Sequence, residues 1–240
     1  MTEIRRYELL DSTNQEARRI AAKGEYGPLW VIAESQTEGR GRRGHNWISY
    51  PGNLFASLLV ELESPFETCG QLSFVAALAV SDVVAEYVSS VEVSVKWPND
   101  VLLNQRKVAG VLLETVSSGA ASLIIIGCGV NLAHYPRDTD FSATALTEIV
   151  EEPPSPEEAL THLVAAWDTW YEIWRKSSFD PIRSAWLARA KGIGEKLTVR
   201  LGGAEIQGIF ENLGDDGTLL IRTKSGGTER ITTGDVFFMD

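Results

Sequence analysis

At Gly192-Ile193-Gly194 this 240-residue chain changes its periodicity, and that change bounds the folds open to it. Upstream, strand-like alternation is interleaved with runs whose apolar residues recur every three or four positions, as on amphipathic helices. Downstream, nothing carries the helical period. Short β-rich runs at 196–201, 204–211, 217–223 and 227–232 are separated by Gly202-Gly203, Asp215-Asp216-Gly217 and Ser225-Gly226-Gly227, the punctuation of a small β-barrel-like module. Four or five strands in about 45 residues lie near the lower limit for independent stability, so the module is expected to lean on the larger unit. The predicted division is 1–191 and 192–240.

In the larger unit, residues 4–10 read as a strand, followed by a helix over 14–23 with Gly24 as its stop. Thr13 and Glu16 stand at the spacing of a capping box. Runs 29–35 and 53–62 read as the second and third strands. Segment 71–89 carries Leu72, Val75, Ala76, Ala79, Val80, Val83, Val84 and Tyr87 on one wide stripe, a helix suited to cover a sheet face. Runs 91–97, 107–116 and 122–130, separated by Pro98-Asn99-Asp100 and Ser117-Ser118-Gly119, extend a mostly antiparallel meander. Ser155, Pro156 and Glu158 supply N-cap, N1 and N3 of a further helix. Its stripe of Leu160, Leu163, Val164, Trp167, Trp170, Tyr171 and Trp174 reads as core rather than a cofactor box. A short helix then runs from Asp180 through Ala190.

The formal net charge is −11, which argues against non-specific binding to DNA or to an anionic membrane. No apolar signal core opens the chain, and no run approaches the roughly 20 apolar residues of a membrane span. The two cysteines, Cys69 and Cys128, give no disulfide framework, and a reducing cytoplasm is the expected setting. His45, His134 and His162 share no ligand spacing with them, so any metal is expected to arrive with a nucleotide.

Against this acidic background, Gly39-Arg40-Gly41-Arg42-Arg43-Gly44 packs three arginines and three glycines into six residues. Glycine lets a ligand approach the backbone, and arginine offers a planar fork of donors for carboxylate or phosphate. The segment reads as an anion-binding loop between two strands. His45-Asn46 follows where a Walker loop needs Lys-Ser/Thr, and Glu34 and Glu38 flank it where a nucleic-acid loop needs a wider basic field. Lys96-Trp97-Pro98-Asn99-Asp100 and Lys107 to Glu114 are further candidates, with strand ends and a solvated lysine as their plainer readings. Gly127-Cys128-Gly129-Val130-Asn131-Leu132 lacks the third glycine and following helix of a dinucleotide fingerprint.

Taken in order and spacing, Asp11-Ser12-Thr13-Asn14, Gln36 through Gly44 with Trp47, Lys96 to Asp100, Lys107 to Glu114 and Gly127 to Leu132 resemble the motif set of biotin protein ligases. The resemblance spans roughly residues 4–132, and the C-terminal module also suits that family. It implies an α+β fold: a catalytic domain with a mixed β-sheet and helices, of the class II synthetase-like biotin/lipoate ligase type, followed by an SH3-like barrel. It implies that biotin and ATP, with Mg2+, form biotinyl-5′-adenylate and pyrophosphate. A lysine of a biotin carboxyl carrier protein then takes the biotin. The expected biotin-binding set is Ser12, Thr13, Asn14, Gln36, Arg40, Gly41, Arg42 and Lys96. The expected nucleotide set is Arg40, Arg42, Arg43, Trp47, Lys107 and Asn131, with Arg42 and Lys96 as the catalytic pair and no metal ligand from the protein.

Two departures from the family pattern stand out. Many members continue the loop with another arginine where this chain has His45, and the chain begins at the catalytic strand without a helix-turn-helix domain. A short, non-regulatory ligase is therefore expected, with no DNA or membrane partner; a homodimer is compatible with it. The alternatives are a lipoyl or octanoyl transferase of the same superfamily, or a non-enzymatic ligand or nucleic-acid sensor.

Overall fold

The computed structural model describes all residues except 1, 63–65, 89–91, 119–120, 138, 140, 202–203 and 239–240. A seven-stranded mixed sheet organises the larger unit. Strand β1 (Glu3–Leu10) runs parallel to β2 (Leu29–Gln36), with helix α1 (Thr13–Ala22) as the crossover between them. The remaining pairings are antiparallel: β2 with β3 (Leu54–Glu61), β3 with β7 (Ala121–Val130), and the meander β4 (Val93–Lys96), β5 (Asp100–Leu103), β6 (Arg106–Ser118) and β7. The order is β1-β2-β3-β7-β6-β5-β4.

The two faces of this sheet have different cover. Helices α2 (Leu72–Glu86) and α3 (Pro156–Ser177) bury one face, where Trp30, Ile32, Leu58, Ile124 and Ile126 join the main core. On the other, α1 lays Ala17, Ile20 and Ala21 over Val31, Leu59, Leu123 and Ile125. Because side chains alternate along a strand, Ser57 and Gly127 share the face of Leu59 and Ile125, at the point where α1 begins with Thr13 and Asn14 and leaves space in front of its first turn. A cleft occupies that space.

After α4 (Asp180–Leu187), the C-terminal unit forms a five-stranded antiparallel sheet. Its strands are β8 (Lys196–Leu201), β9 (Ala204–Leu213), β10 (Leu219–Thr223), β11 (Thr228–Ile231) and β12 (Asp235–Phe238), in the order β11-β10-β9-β8-β12. It leans on the larger unit: Trp97 Nε1 donates to the Gly217 carbonyl at 3.0 Å, and Gln71 Nε2 donates to that of Asp215 at 2.9 Å.

Local expectations and structure differ at three places. The capping box of α3 forms in full, with Ser155 and Glu158 bonding reciprocally, but the one expected for α1 does not. The Thr13 hydroxyl turns to Gln36 and Ser57, and Glu16 turns to Tyr7 and Arg19, because tertiary partners are available to both. Strand β5 was absent from the predicted elements, since four residues between turn signals carry too little alternation to declare it. The run Thr68–Tyr87 corrects the hydropathy reading: its 20 residues, at mean hydropathy 1.5, are long and apolar enough to span a membrane, yet 67% of that window is buried inside the protein. Helix α2 is apolar all round because core surrounds it on nearly every side. Val91, Gly119, Gly202 and Gly203, which the sequence reading placed in a strand and turns, lie outside the described residues.

Candidate functional site

The cleft encloses about 380 Å³, within the range of small-molecule pockets. Three glycines make its floor. A Cβ on Gly127 would lie 2.3 Å from Asn14 Oδ1, and one on Gly129 would lie 2.5 Å from Trp47 Cε2. One on Gly110 would stand 3.0 Å from Trp47 Cζ3 and 3.3 Å from Lys107 Cε. The pair in β7 is thus no phosphate-binding turn. Its glycines sit mid-strand and give room for Asn14 and Trp47 to lie flat on the sheet.

Over Gly127 is a buried polar cluster. The Gln36 Oε1 carbonyl accepts the Thr13 backbone N–H at 2.9 Å, and its Nε2 donates to Ser49 Oγ at 3.0 Å. Ser57, fully buried on β3, lies 2.7 Å from Thr13 Oγ1 and 2.6 Å from Asn14 Oδ1. Its single proton goes to the Asn14 oxygen, which can only accept. Ser12, Thr13 and Asn14 are all below 5% exposed and still line the cleft. Thr13 and Asn14 project from the first turn of α1 and Ser12 is its N-cap, so one helix start supplies three of the polar side chains at this end of the site.

The arginine loop closes as a tight hairpin. Arg40 bridges Asn46, Trp47 N donates to the Gly39 carbonyl at 2.9 Å, and Gly41 N donates to that of His45 at 2.8 Å. Arg43, at φ 55°, and Gly44, at φ 80°, make the left-handed reversal. The three guanidinium groups leave it toward three different elements. Arg40 Nη1 donates to Gln15 at 3.0 Å and lies 3.8 Å from Glu114. Arg42 Nη1 donates to Asn99 Oδ1 at 3.3 Å, inside the cleft. Arg43 pairs with Asp235 of β12 at 2.8 Å and does not line the cleft.

Lys96 and Lys107 stand opposite, on β4 and β6. Lys107 Nζ pairs with Asp100 at 2.7 Å and lies over the Trp47 and Phe141 rings, 5.6 and 4.9 Å from their centroids. Lys96 Nζ lies 5.8 Å over the Phe237 ring. Burial holds the Lys96 ammonium below the usual lysine pKa, helped by Lys107 and Lys191 and opposed by Asp100 and Asp235. Burial likewise lowers the Arg42 pKa, with Asp100 and Asp235 opposing. Two cations held in a partly desolvated cleft attract an anion more strongly than they would in water.

Asn131 lies elsewhere. Its Nδ2 donates to the Thr144 carbonyl at 3.0 Å, and it faces an adjoining recess of about 240 Å³ that shares His45, Trp47, Lys107 and Phe141 with the cleft. Except for Arg43 and Asn131, every residue predicted for the site lines the cleft.

Sequence reasoning missed Ser57, and it missed the wall that Arg200, Asp235, Val236 and Phe237 bring from the C-terminal unit. A lone serine inside the apolar run of β3 was the available signal for the first. Nothing local announces the second, which depends on how two sheets dock. Beside the buried floor, Cys128 is inert, since burial pushes its thiol up to about 12. The arrangement offers a neutral polar end, an apolar floor and a cationic end, all on one sheet face.

The profile of the Biotin/lipoate A/B protein ligase family matches residues 7–131, and that of the Biotin protein ligase C terminal domain matches residues 192–239. A biotin--[acetyl-CoA-carboxylase] ligase of Paracoccus denitrificans is 41% identical over 235 residues, which cover 95% of this chain and 97% of that protein. Among solved structures, biotin protein ligase from Aquifex aeolicus in complex with biotin and ATP has a TM-score of 0.82 at 29% identity, covering 99% of this chain and 98% of that one. Biotin protein ligase from Leishmania major in complex with biotinyl-5-AMP has a TM-score of 0.71 at 27% identity, covering 96% and 99%.

Proposed function

This chain belongs to the biotin protein ligases of the Biotin/lipoate A/B protein ligase family, and from that footing we propose how its residues divide the reaction. The enzyme joins biotin to ATP and passes the biotinyl group to the biotin carrier of acetyl-CoA carboxylase. In the first step a biotin carboxylate oxygen attacks the α-phosphorus and the α–β anhydride bond breaks, with pyrophosphate leaving. In the second, the carrier lysine's amine attacks the acyl carbon, and the bond to the bridging oxygen breaks to release AMP.

One observation carries the assignment of roles: a neutral hydrogen-bonding end and a cationic end share one glycine floor beneath one arginine loop. Ser12, Thr13, Asn14 and Gln36, with Ser57 behind them, hold the biotin head group, whose polar atoms need partners once buried. Gly41 lets the backbone pass close to the acyl chain. Arg42 and Lys96 serve where carboxylate meets α-phosphate, two anions that repel until cations stand between them, while Arg40, whose guanidinium lies toward Gln15 and Glu114, closes the loop over biotin and the adenylate. Lys107 serves the nucleotide phosphates, and Trp47 presents its ring to the base. Asn131 backs the adjoining recess as its floor. Arg43 acts from outside, fastening the loop to Asp235.

Mg2+, which neutralises polyphosphate charge when bound, fits this donor set as a passenger of ATP. The cleft's carboxylates, Asp100 and Asp235, are paired with Lys107 and Arg43, and among the described residues no three His, Cys, Asp or Glu gather as a metal cage. Magnesium commonly enters on substrate phosphates in this manner. We place the division between catalytic and C-terminal units at residue 191, and the setting in the reducing cytoplasm, which suits a chain whose two cysteines give no disulfide framework.

Pyrophosphate release tests the reading, with ATP, Mg2+ and biotin, lipoate or octanoate supplied in turn. Biotin should support release and the two linear acids should not; turnover with lipoate alone would overturn it.

A further inference from the structure

Behind the polar end of the cleft, and outside its lining, one carboxylate has three partners. Glu114 on β6 accepts from Asn14 Nδ2 at 2.8 Å and from Arg18 Nη2 at 3.3 Å, and it stands 3.8 Å from Arg40 Nη1. Its side chain is 21% exposed. An ionised carboxylate only accepts hydrogen bonds. Asn14 must therefore turn its NH2 toward Glu114, which sends Oδ1 toward Ser57 and over Gly127. Ser57 cannot decide this orientation, because a hydroxyl donates or accepts equally well. The reversed amide would set its carbonyl oxygen against a carboxylate.

We propose that Glu114 is a positioning residue that fixes Asn14 with its acceptor facing the cleft, so that this end of the site takes a ligand N–H. Through Arg40 the same carboxylate ties that orientation to the arginine loop. The inference rests on Asn14 contacting the biotin head group, whose ring nitrogens carry N–H. Gln36 is already oriented by the Thr13 backbone N–H, which only donates, whereas the hydroxyls of Ser12, Thr13 and Ser57 can donate or accept. Glu114 does for Asn14 what that backbone donor does for Gln36.

The test is a rescue experiment, with biotin affinity read by titration calorimetry and folding checked by thermal melting. Glu114→Gln, nearly isosteric, should weaken biotin about tenfold while the KM for ATP moves less than about threefold. Asn14→Asp alone sets two carboxylates face to face and should weaken biotin about a hundredfold. Adding Glu114→Gln to it supplies an N–H for the new carboxylate. That double variant should return to within about fivefold of wild type, a non-additivity that lost packing does not produce. A double variant no better than Asn14→Asp, with both melting near wild type, overturns the inference. So does a Glu114→Gln variant of unchanged biotin affinity while Asn14→Ala weakens biotin. If Asn14→Ala leaves biotin affinity unchanged, the assignment of Asn14 falls, and the role of Glu114 with it.

Discussion

Two alanines, two residues apart on one strand, should separate the two halves of the site. Gly127 and Gly129 both lie in β7 outside the left-handed region, so alanine strains neither backbone. What differs is the neighbour. A methyl at 129 would meet Trp47 Cε2 at 2.5 Å, Cζ2 at 2.7 Å and Nε1 at 2.8 Å, against an ordinary contact of about 3.5–4.0 Å. The rigid indole must retreat by roughly 1 Å into the space assigned to the nucleotide. A methyl at 127 would instead meet Asn14 Oδ1 at 2.3 Å and Cγ at 3.1 Å, displacing the acceptor assigned to biotin. Overpacking of this kind costs roughly 1–3 kcal/mol, which at about 1.4 kcal/mol per decade is roughly a five- to hundredfold loss of affinity. Steady-state pyrophosphate release should show Gly129→Ala raising the KM for ATP with little change for biotin, and Gly127→Ala doing the reverse. Gly110→Ala, whose nearest contact is 3.0 Å, should resemble Gly129→Ala at smaller size. If both variants raise both KM values together, or the pattern is crossed the other way, the assignment of the two ends is refuted.

Other consequences are simpler. Arg42→Ala should slow adenylate formation by roughly 10²- to 10³-fold and let preformed adenylate escape faster, measured by filter retention of labelled adenylate; unchanged retention removes Arg42 from the site. Asp235→Asn releases the Arg43 pairing, so adenylate escape should rise by about two- to fivefold, the scale of a surface ion pair, with adenylate formation little changed; equal retention would show that the clasp does not act. Hydrogen bonds from Arg19 hold the Asp11 carboxyl at about 2, below its ordinary 3.8. Its folded pKa is depressed, so its stabilising effect is present above about pH 4 and is lost as pH falls toward 2. Acid unfolding of Asp11→Asn should lack that part of the slope, and a slope identical to wild type contradicts it.

What could be read from the sequence follows from how local each signal is. The α3 cap was legible because Ser155 and Glu158 bond each other and their own backbone, three residues apart in sequence. The α1 cap was misread because Thr13 and Glu16 have better partners on β2, β3 and β1. The site's charged and polar residues were legible as types at strand ends and loops, yet their directions were not. Arg40, Arg42 and Arg43 are neighbours in sequence, but their guanidinium groups reach Gln15, Asn99 and Asp235. Gly127 and Gly129 fell short of a dinucleotide fingerprint in the sequence, yet their purpose was hidden there, because periodicity records that a side chain is missing, not what fills the space. The wall from β12 had no sequence signature at all, since Asp235 and Phe237 acquire their meaning only when the second sheet docks on Trp97 and Phe74.

In the proposed reaction the cleft joins a biotin carboxylate to the α-phosphorus of ATP and holds the mixed anhydride for an amine. Biotin carrying heavy oxygen in its carboxylate tests it directly, with the products of a complete turnover on the carrier resolved by mass spectrometry. One heavy oxygen should appear in AMP, one in the amide on the carrier and none in pyrophosphate. Unlabelled AMP, or label in pyrophosphate, would contradict it.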